Sequence, residues 1–368
     1  MDDVDKTIRE VLTDFQIPGI MTEGVPYGSG HINDTFRLTF SDNGKTTRYI
    51  LQRMNKNIFL KPLELMENVV GVTSWLKKKI IENGGDPTRE TLNILPAKDG
   101  RSYCLDKNQD YWRIYAFIED ATSFDQVEKE DDFYQSAVTF GHFQQLLADY
   151  PADTLHETIP NLHNTADRLD KFEQAVKADC VGRVASVQAE IAFVRDNSDL
   201  AHVLGDMQKA GELPLRVTHN DTKLNNIMID NATGKGLCVI DLDTVMPGLA
   251  ANDFGDSIRF GASTGAEDEP DLSKVECSME LFDLYTKGFI LGCGGKLTEK
   301  ELDTLPLGAM VMTYECGVRF LTDYLEGDHY FKIHRDGQNL DRARTQFKLV
   351  EDMKNKKDVM DGIVKKYK

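Results

Sequence analysis

An α+β chain is predicted by a change of periodicity along its length. Thr35 to Phe40 and Thr47 to Met54 read as two strands around Ser41-Asp42-Asn43-Gly44-Lys45, and Asn-Gly is a strong hairpin signal. From Asp131 onward the apolar spacing turns helical, with stripes at Phe133, Ala137, Phe140, Phe143, Leu147, at Leu169, Phe172, Val176, and at Val187, Ile191, Val194. A chain of 368 residues is long enough for two cores, so strands followed by helices predict two lobes. The boundary is expected near Glu119 to Phe124.

The elements follow in order. Val4, Ile8, Val11, Leu12 and Phe15 make an opening amphipathic helix that ends near Pro18-Gly19. Pro26-Tyr27-Gly28-Ser29-Gly30-His31-Ile32-Asn33 is a glycine-bearing turn into the first hairpin strand. On the second strand, alternation sets Ile50 and Gln52 on one face, Leu51 and Arg53 on the other. Pro62 starts a helix whose buried stripe is Leu65, Val69, Val72, Leu76 and Ile80, with Gly84-Gly85 as its stop. Tyr111 to Glu119 is the last strand, running into a connector. Thr298-Glu299-Lys300-Glu301 is a capping box opening a helical region through Leu302, Leu305, Met310 and Tyr314, and Leu340 to Met360 marks one terminal helix.

Composition excludes several classes. Forty-three basic against 61 acidic residues give a net charge of −18, which argues against a general nucleic-acid or anionic-membrane surface. Six cysteines without a C-x-x-C pair read as reduced thiols. The start, Met1-Asp2-Asp3-Val4-Asp5, is acidic where a signal peptide is basic and then apolar, and no stretch approaches a membrane span. A cytoplasmic location is expected.

The chemistry concentrates in Val217-Thr218-His219-Asn220-Asp221-Thr222-Lys223-Leu224-Asn225-Asn226 and the following strand Leu237 to Asp241. His219, Asp221 and Asn226 form H-x-D-x-x-x-x-N, the catalytic-loop pattern of phosphoryl-transferring kinases. Asp221 is placed to accept a proton from an incoming hydroxyl. Asn226 and Asp241 supply oxygen ligands suited to Mg²⁺. The competing structural reading is a polar loop whose Asp221 and Asn226 cap turns. Ahead of this loop, the Gly28-Ser29-Gly30 turn becomes a candidate for cradling ATP phosphates. Gln52 stands where a kinase carries its phosphate-pairing Lys, so charge neutralisation is expected from Mg²⁺, loop amides, Arg53 or Lys223. Asp243 binds metal or holds the loop; Asp253-Phe254-Gly255 is read as the cap of the next helix rather than the metal-binding D-F-G. His142, His156, His163 and His202 are read as structural or surface residues.

These blocks, with Asp253 to Thr264 and Arg319 to Asp328, resemble the aminoglycoside phosphotransferase and choline kinase-like superfamily over nearly the whole chain. Within it they are similar to kinases of N-acetylhexosamines. The resemblance implies a bilobal fold: a nucleotide-binding lobe, 1–120, with a five-stranded antiparallel sheet and a helix, and a mostly helical catalytic and sugar-binding lobe, 121–368. It implies ATP and Mg²⁺ as cofactors and transfer to the anomeric hydroxyl of N-acetylglucosamine or N-acetylgalactosamine. Asp221 is then the base, Asn226 and Asp241 the metal ligands, and Gly28, Ser29, Gly30, Gln52 and Lys223 the nucleotide contacts. His31, Asp256, Arg259, Arg319 and Tyr330 are the polar residues offered to the sugar, each with structural ion pairing as the alternative. Another small acceptor (choline, homoserine, methylthioribose or an aminoglycoside) and a non-catalytic nucleotide-binding module remain open at this stage.

Overall fold

The computed structural model describes residues 3–28, 32–124 and 129–368. The elements are α1 (Asp3–Leu12), β1 (Ile20–Pro26), β2 (Asp34–Asp42), β3 (Lys45–Arg53), α2 (Pro62–Glu82), β4 (Ile94–Leu95), β5 (Cys104–Leu105), β6 (Tyr111–Ala116) and β7 (Ala121–Thr122). Then come α3 (Glu130–Leu146), α4 (Thr165–Ala178), α5 (Gln188–Asp196), α6 (Val203–Lys209), β8 (Arg216–Thr218), β9 (Ile227–Asp230), β10 (Gly236–Val239) and β11 (Met246–Gly248). The chain closes with α7 (Ala250–Gly261), α8 (Met279–Cys293), α9 (Glu299–Asp303), α10 (Leu305–Glu326), α11 (Gln338–Asn355) and α12 (Lys357–Tyr367). Two compact units result, one of Met1–Asp125, Asp153–Pro160 and Met228–Met246, the other of the remaining segments.

The first unit is built on an antiparallel sheet ordered β1-β2-β3-β6-β4, with β5 also pairing β6. The predicted five strands are therefore joined by a sixth, a two-residue piece too short to leave a periodic signal. Asp42 pairs Lys45 across the hairpin, and both Asn43 (φ 48°) and Gly44 (φ 84°) take the left-handed conformation that a two-residue turn of matching twist demands. Leu38, Phe40, Tyr49, Leu51, Trp112 and Ile114 pack with Ile8, Val11 and Phe15 of the N-terminal segment into one core. Gln52 pairs Arg113 in register. The α2 stripe is buried as its spacing predicts, each large aliphatic contributing roughly 1.5–3 kcal/mol.

The second unit is helical. A Cβ on Gly255 of α7 would come within 2.3 Å of the Gly308 carbonyl of α10, so these two helices approach at backbone distance and only glycine fits. The Thr298 capping box forms as predicted, but the helical region splits at Thr304. Pro306 explains the break: without an N–H it is accommodated in a first turn, so α10 starts there. The terminal helix also divides, at Lys356, whose ammonium is held by Asp352 and Glu276. Among the described residues no helix is long and apolar enough to cross a membrane.

Candidate active site

The H-x-D-x-x-x-x-N loop leaves β8 and ends in a single 3₁₀ turn, Leu224–Asn226. His219 is fully buried between the rings of Phe140 and Phe143, and its Nδ1 accepts the Asp221 amide at 3.3 Å. The imidazole thus fixes the backbone of the residue predicted to be the base. Asn220 sits at φ 65°, a left-handed conformation that Asn tolerates better than most residues. Asn226 Nδ2 donates to the Asp221 carbonyl (2.7 Å) and to its Oδ2 (3.1 Å), while Lys223 Nζ lies 3.2 Å from the same oxygen. Asp221, Lys223 and Asn226 are therefore brought together. The side chains of Lys223 and Asp221 are 36% and 30% exposed, open enough for a reactant to approach.

Helix α7 grips this loop from beneath. Asp253 does not cap its own helix, whose N-cap is Leu249; its carboxylate accepts the amides of His219 (2.9 Å) and Asn220 (2.8 Å) and the Gln144 side chain (2.9 Å). The expected cap is corrected to a bracket on the catalytic loop. Burial pushes the Asp253 carboxyl upward, with the His219 and Asn220 contacts pulling the other way. One turn on, Asp256 accepts the Thr222 amide (3.1 Å) and pairs with Arg259 at 3.0 Å. Burial raises the Asp256 pKa, but Arg259 and His163 outweigh it and hold the carboxyl below its ordinary range. Of the two readings of Asp256 and Arg259, the ion pair is present, and Asp256 also touches the catalytic loop.

In the first unit, Asp241 follows β10 at φ 56°, ψ 61°. Strained placement of this kind is over-represented at functional positions. Asp243 is 2% exposed; Arg113, itself 1% exposed, meets both its oxygens at 2.7 and 2.8 Å, and Asn33 Nδ2 donates to it at 2.7 Å. With its carboxylate so occupied, Asp243 holds the loop. Arg113 also donates from Nε (3.1 Å) and Nη2 (2.8 Å) to Gln52 Oε1, while Gln52 Nε2 donates to Thr35. The cation beside position 52 is thus Arg113, which sequence reasoning missed; Arg53 is engaged by Asp34 and Asp110. Only knowledge that β6 pairs β3 in this register identifies it.

A cavity of about 290 Å³ in the second unit is lined by Arg168, Lys171, Arg319, Asp323, Tyr330 and Phe331, among others. Arg319 lies 5.8 Å from the Tyr330 ring centroid and 5.5 Å from that of Phe331. Asp323 fixes this wall, its two oxygens accepting the amides of His329, Tyr330 and Phe331. Arg319 and Tyr330 are therefore brought together. Gly28 takes φ 83°, open to its surroundings; Ser29, Gly30 and His31 lie outside the described residues. Among the described residues no three His, Cys, Asp or Glu side chains cluster for a metal ion. Of the two residues expected from the sequence to ligate magnesium, Asp241 belongs to the first unit and Asn226 to the second. Because Asn226 Nδ2 is committed to Asp221, its carbonyl end faces the other way, which fits an oxygen ligand for a hard cation.

A model of the phosphotransferase enzyme family matches residues 23–276, more than half of the chain. Among solved structures the chain is similar to a microcompartment-associated aminopropanol kinase at 16% identity and TM-score 0.61, over 98% of this chain and 99% of that one. It is similar to an aminoglycoside phosphotransferase from Alicyclobacillus acidocaldarius at 11% identity and TM-score 0.62, over 97% and 96%. A spectinomycin phosphotransferase solved with ADP and spectinomycin aligns at 11% identity and TM-score 0.55, over 93% and 97%. Such low identities carry the fold, an antiparallel N-terminal sheet with a helical C-terminal region. With the family match spanning the Asp221 loop and Asp241, this chain belongs to the phosphotransferase enzyme family.

Proposed function

We propose that this phosphotransferase is an ATP-dependent N-acetylhexosamine 1-kinase, acting on the anomeric hydroxyl of N-acetylglucosamine or N-acetylgalactosamine. The observation that carries the choice of acceptor is the cavity beside α10, where Arg168, Lys171 and Arg319 stand with an aromatic wall. Guanidinium and ammonium groups donate hydrogen bonds to hydroxyl and amide oxygens. The same lining carries the carboxylates of Asp323 and Glu326, so donors and acceptors alternate around it, as the hydroxyls and acetamido group of a neutral sugar require.

In the proposed reaction the anomeric oxygen forms a bond to the γ-phosphorus, the bond from that phosphorus to the β–γ bridging oxygen breaks, and the electron pair leaves with ADP. Asp221 takes the hydroxyl proton as charge moves off the acceptor oxygen. Lys223, salt-bridged to Asp221 in the free protein, neutralises phosphate oxygens once nucleotide is bound. Asn226 and Asp241 would hold magnesium, whose charge offsets that of the phosphates. The Gly28 turn is assigned to the phosphates, and Arg319 and Tyr330 to the sugar. The transition state asks mainly for alignment and charge neutralisation, so a rigid loop matters more than covalent chemistry.

The test is ADP release with Mg-ATP across an acceptor panel: both N-acetylhexosamines, their methyl glycosides, choline, aminopropanol and kanamycin. Turnover is expected with the two free sugars and not with the glycosides, which lack the anomeric hydroxyl. Preferential turnover of an amine would overturn the reading.

A further inference from the structure

His163 belongs to no motif, yet it is buried against the catalytic loop. Its Nδ1 lies 2.9 Å from Glu315 Oε1 on α10, and its Nε2 lies 3.1 Å from the carbonyl oxygen of Asn220, the residue immediately before Asp221. A carbonyl and an ionised carboxylate can only accept, so both ring nitrogens must carry hydrogen, which is the imidazolium. Glu315 is 1% exposed and its other oxygen accepts the Thr165 hydroxyl at 2.7 Å, so the dyad is closed on both sides.

We infer that His163 is a positioning residue for phosphoryl transfer: its imidazolium, anchored by Glu315, holds the Asn220 carbonyl and with it the left-handed turn that aims Asp221. The inference rests on the assignment of Asp221 as base. The Asn220 peptide is then gripped at both ends, its amide by Asp253 and the carbonyl by His163. Helix α10 presents Glu315 and, one turn later, Arg319 of the acceptor cavity, so one helix supports both the base and the proposed sugar wall.

The charges around the dyad support its ionised form. Burial by itself would strip the proton from His163, but the Glu315 charge and hydrogen bond, the Asn220 carbonyl and Asp256 outweigh it and raise the imidazole above its ordinary pKa of about 6.5. Burial pushes Glu315 up, and His163, Arg319 and Thr165 more than offset it, leaving the carboxyl below its ordinary range. Among the described residues, Arg168 of α4 also acts on Glu315, and Arg259 of α7 and Lys223 of the loop act on the neighbouring Asp256. Because the folded pKa is raised, the clamp is fully formed below the ordinary histidine value. It is lost as pH rises through the raised folded value.

The experiment follows His163 ring nitrogens and the backbone amides of Asn220 to Thr222 by NMR across pH, alongside kcat and KM for wild type, His163→Gln and Glu315→Gln. The loop amides are expected to titrate with His163, and kcat to fall on the basic side at that same pH. Glu315→Gln should move both events toward lower pH. His163→Gln should lose roughly tenfold to 100-fold in kcat with KM for ATP within about twofold, as expected for a misaimed base. If His163→Gln fails to fold, the wild-type titration decides. A neutral His163 at pH 7, or loop amides indifferent to its titration, overturns the proposal. Wild-type protein that turns over no N-acetylhexosamine, while its loop amides still titrate with His163, refutes the acceptor reading and sustains the clamp.

Discussion

Arg113 faces Gln52 across the β3–β6 pair and gives it two hydrogen bonds to one oxygen, at 3.1 and 2.8 Å. A kinase lysine at position 52 would put two cations in contact; the amide instead offers the guanidinium an acceptor. Arg113 is in turn ion-paired with buried Asp243, two residues beyond Asp241. Gln52 is therefore one end of a strut from the sheet to the Asp241 loop.

Removing the charge from this strut should be costly. Arg113→Met leaves Asp243 buried without its counter-ion, and a loss of about 3–5 kcal/mol is expected in urea unfolding. Gln52→Lys, which restores the kinase residue, should also destabilise the protein. An unchanged unfolding midpoint for both would contradict the strut.

Asp253→Asn tests whether the bracket, rather than a metal, is the business of this carboxylate. An amide has one acceptor oxygen for the His219, Asn220 and Gln144 donors, and its NH₂ opposes an N–H. Stability should fall by about 1–3 kcal/mol, the range for buried groups left unsatisfied. Nucleotide affinity measured by calorimetry should move little in whatever fraction folds. Loss of magnesium-dependent ATP binding at full stability would instead favour a metal role.

For the proposed acceptor wall, Arg319→Ala should raise KM for the proposed sugar substrate about tenfold to 100-fold, matching the loss of a charge-assisted hydrogen bond, with KM for ATP unchanged. Asp323→Ala should act in the same direction, through Tyr330, since Asp323 fixes the backbone on which that ring stands. Steady-state kinetics with each substrate varied would expose the opposite pattern.

Acid should weaken the second unit through Glu315 and Asp256. Both carboxyls are held below their ordinary pKa values, so they contribute stability above the unfolded values of about 4.3 and 3.9 and lose it as pH falls through the depressed folded values. Thermal melts from pH 6 down to pH 2 should show Tm falling over that window, with a shallower fall in Glu315→Gln. An equally steep fall in that variant would rule out the assigned source.

What was legible in the sequence had a local signature. The Asn43-Gly44 hairpin, the α2 stripe opened by Pro62 and the Thr298 capping box each depend on contacts within a few residues, and each formed. His219 as the fixing residue of the loop was equally readable, because its role is played two residues away at Asp221. The supports were not: Arg113 for Gln52, Asp253 for the His219 and Asn220 amides, His163 and Glu315 for the Asn220 carbonyl. Those partners are separated by 33 to 152 positions, and their pairing follows from strand register and helix packing rather than from any spacing along the chain. Sequence also presented Asp253 as a helix cap, since an Asp near a helix start ordinarily is one; burial against the loop redirected it.

The most direct test of the central claim is phosphorus NMR of the products formed from Mg-ATP and N-acetylglucosamine, by wild type and by Asp221→Asn. The account predicts an anomeric phosphate resonance growing in step with ADP for the wild type. For Asp221→Asn it predicts a signal lower by about 10² to 10⁴-fold despite retained ATP binding. Phosphate on any other hydroxyl, or undiminished turnover by Asp221→Asn, would contradict it.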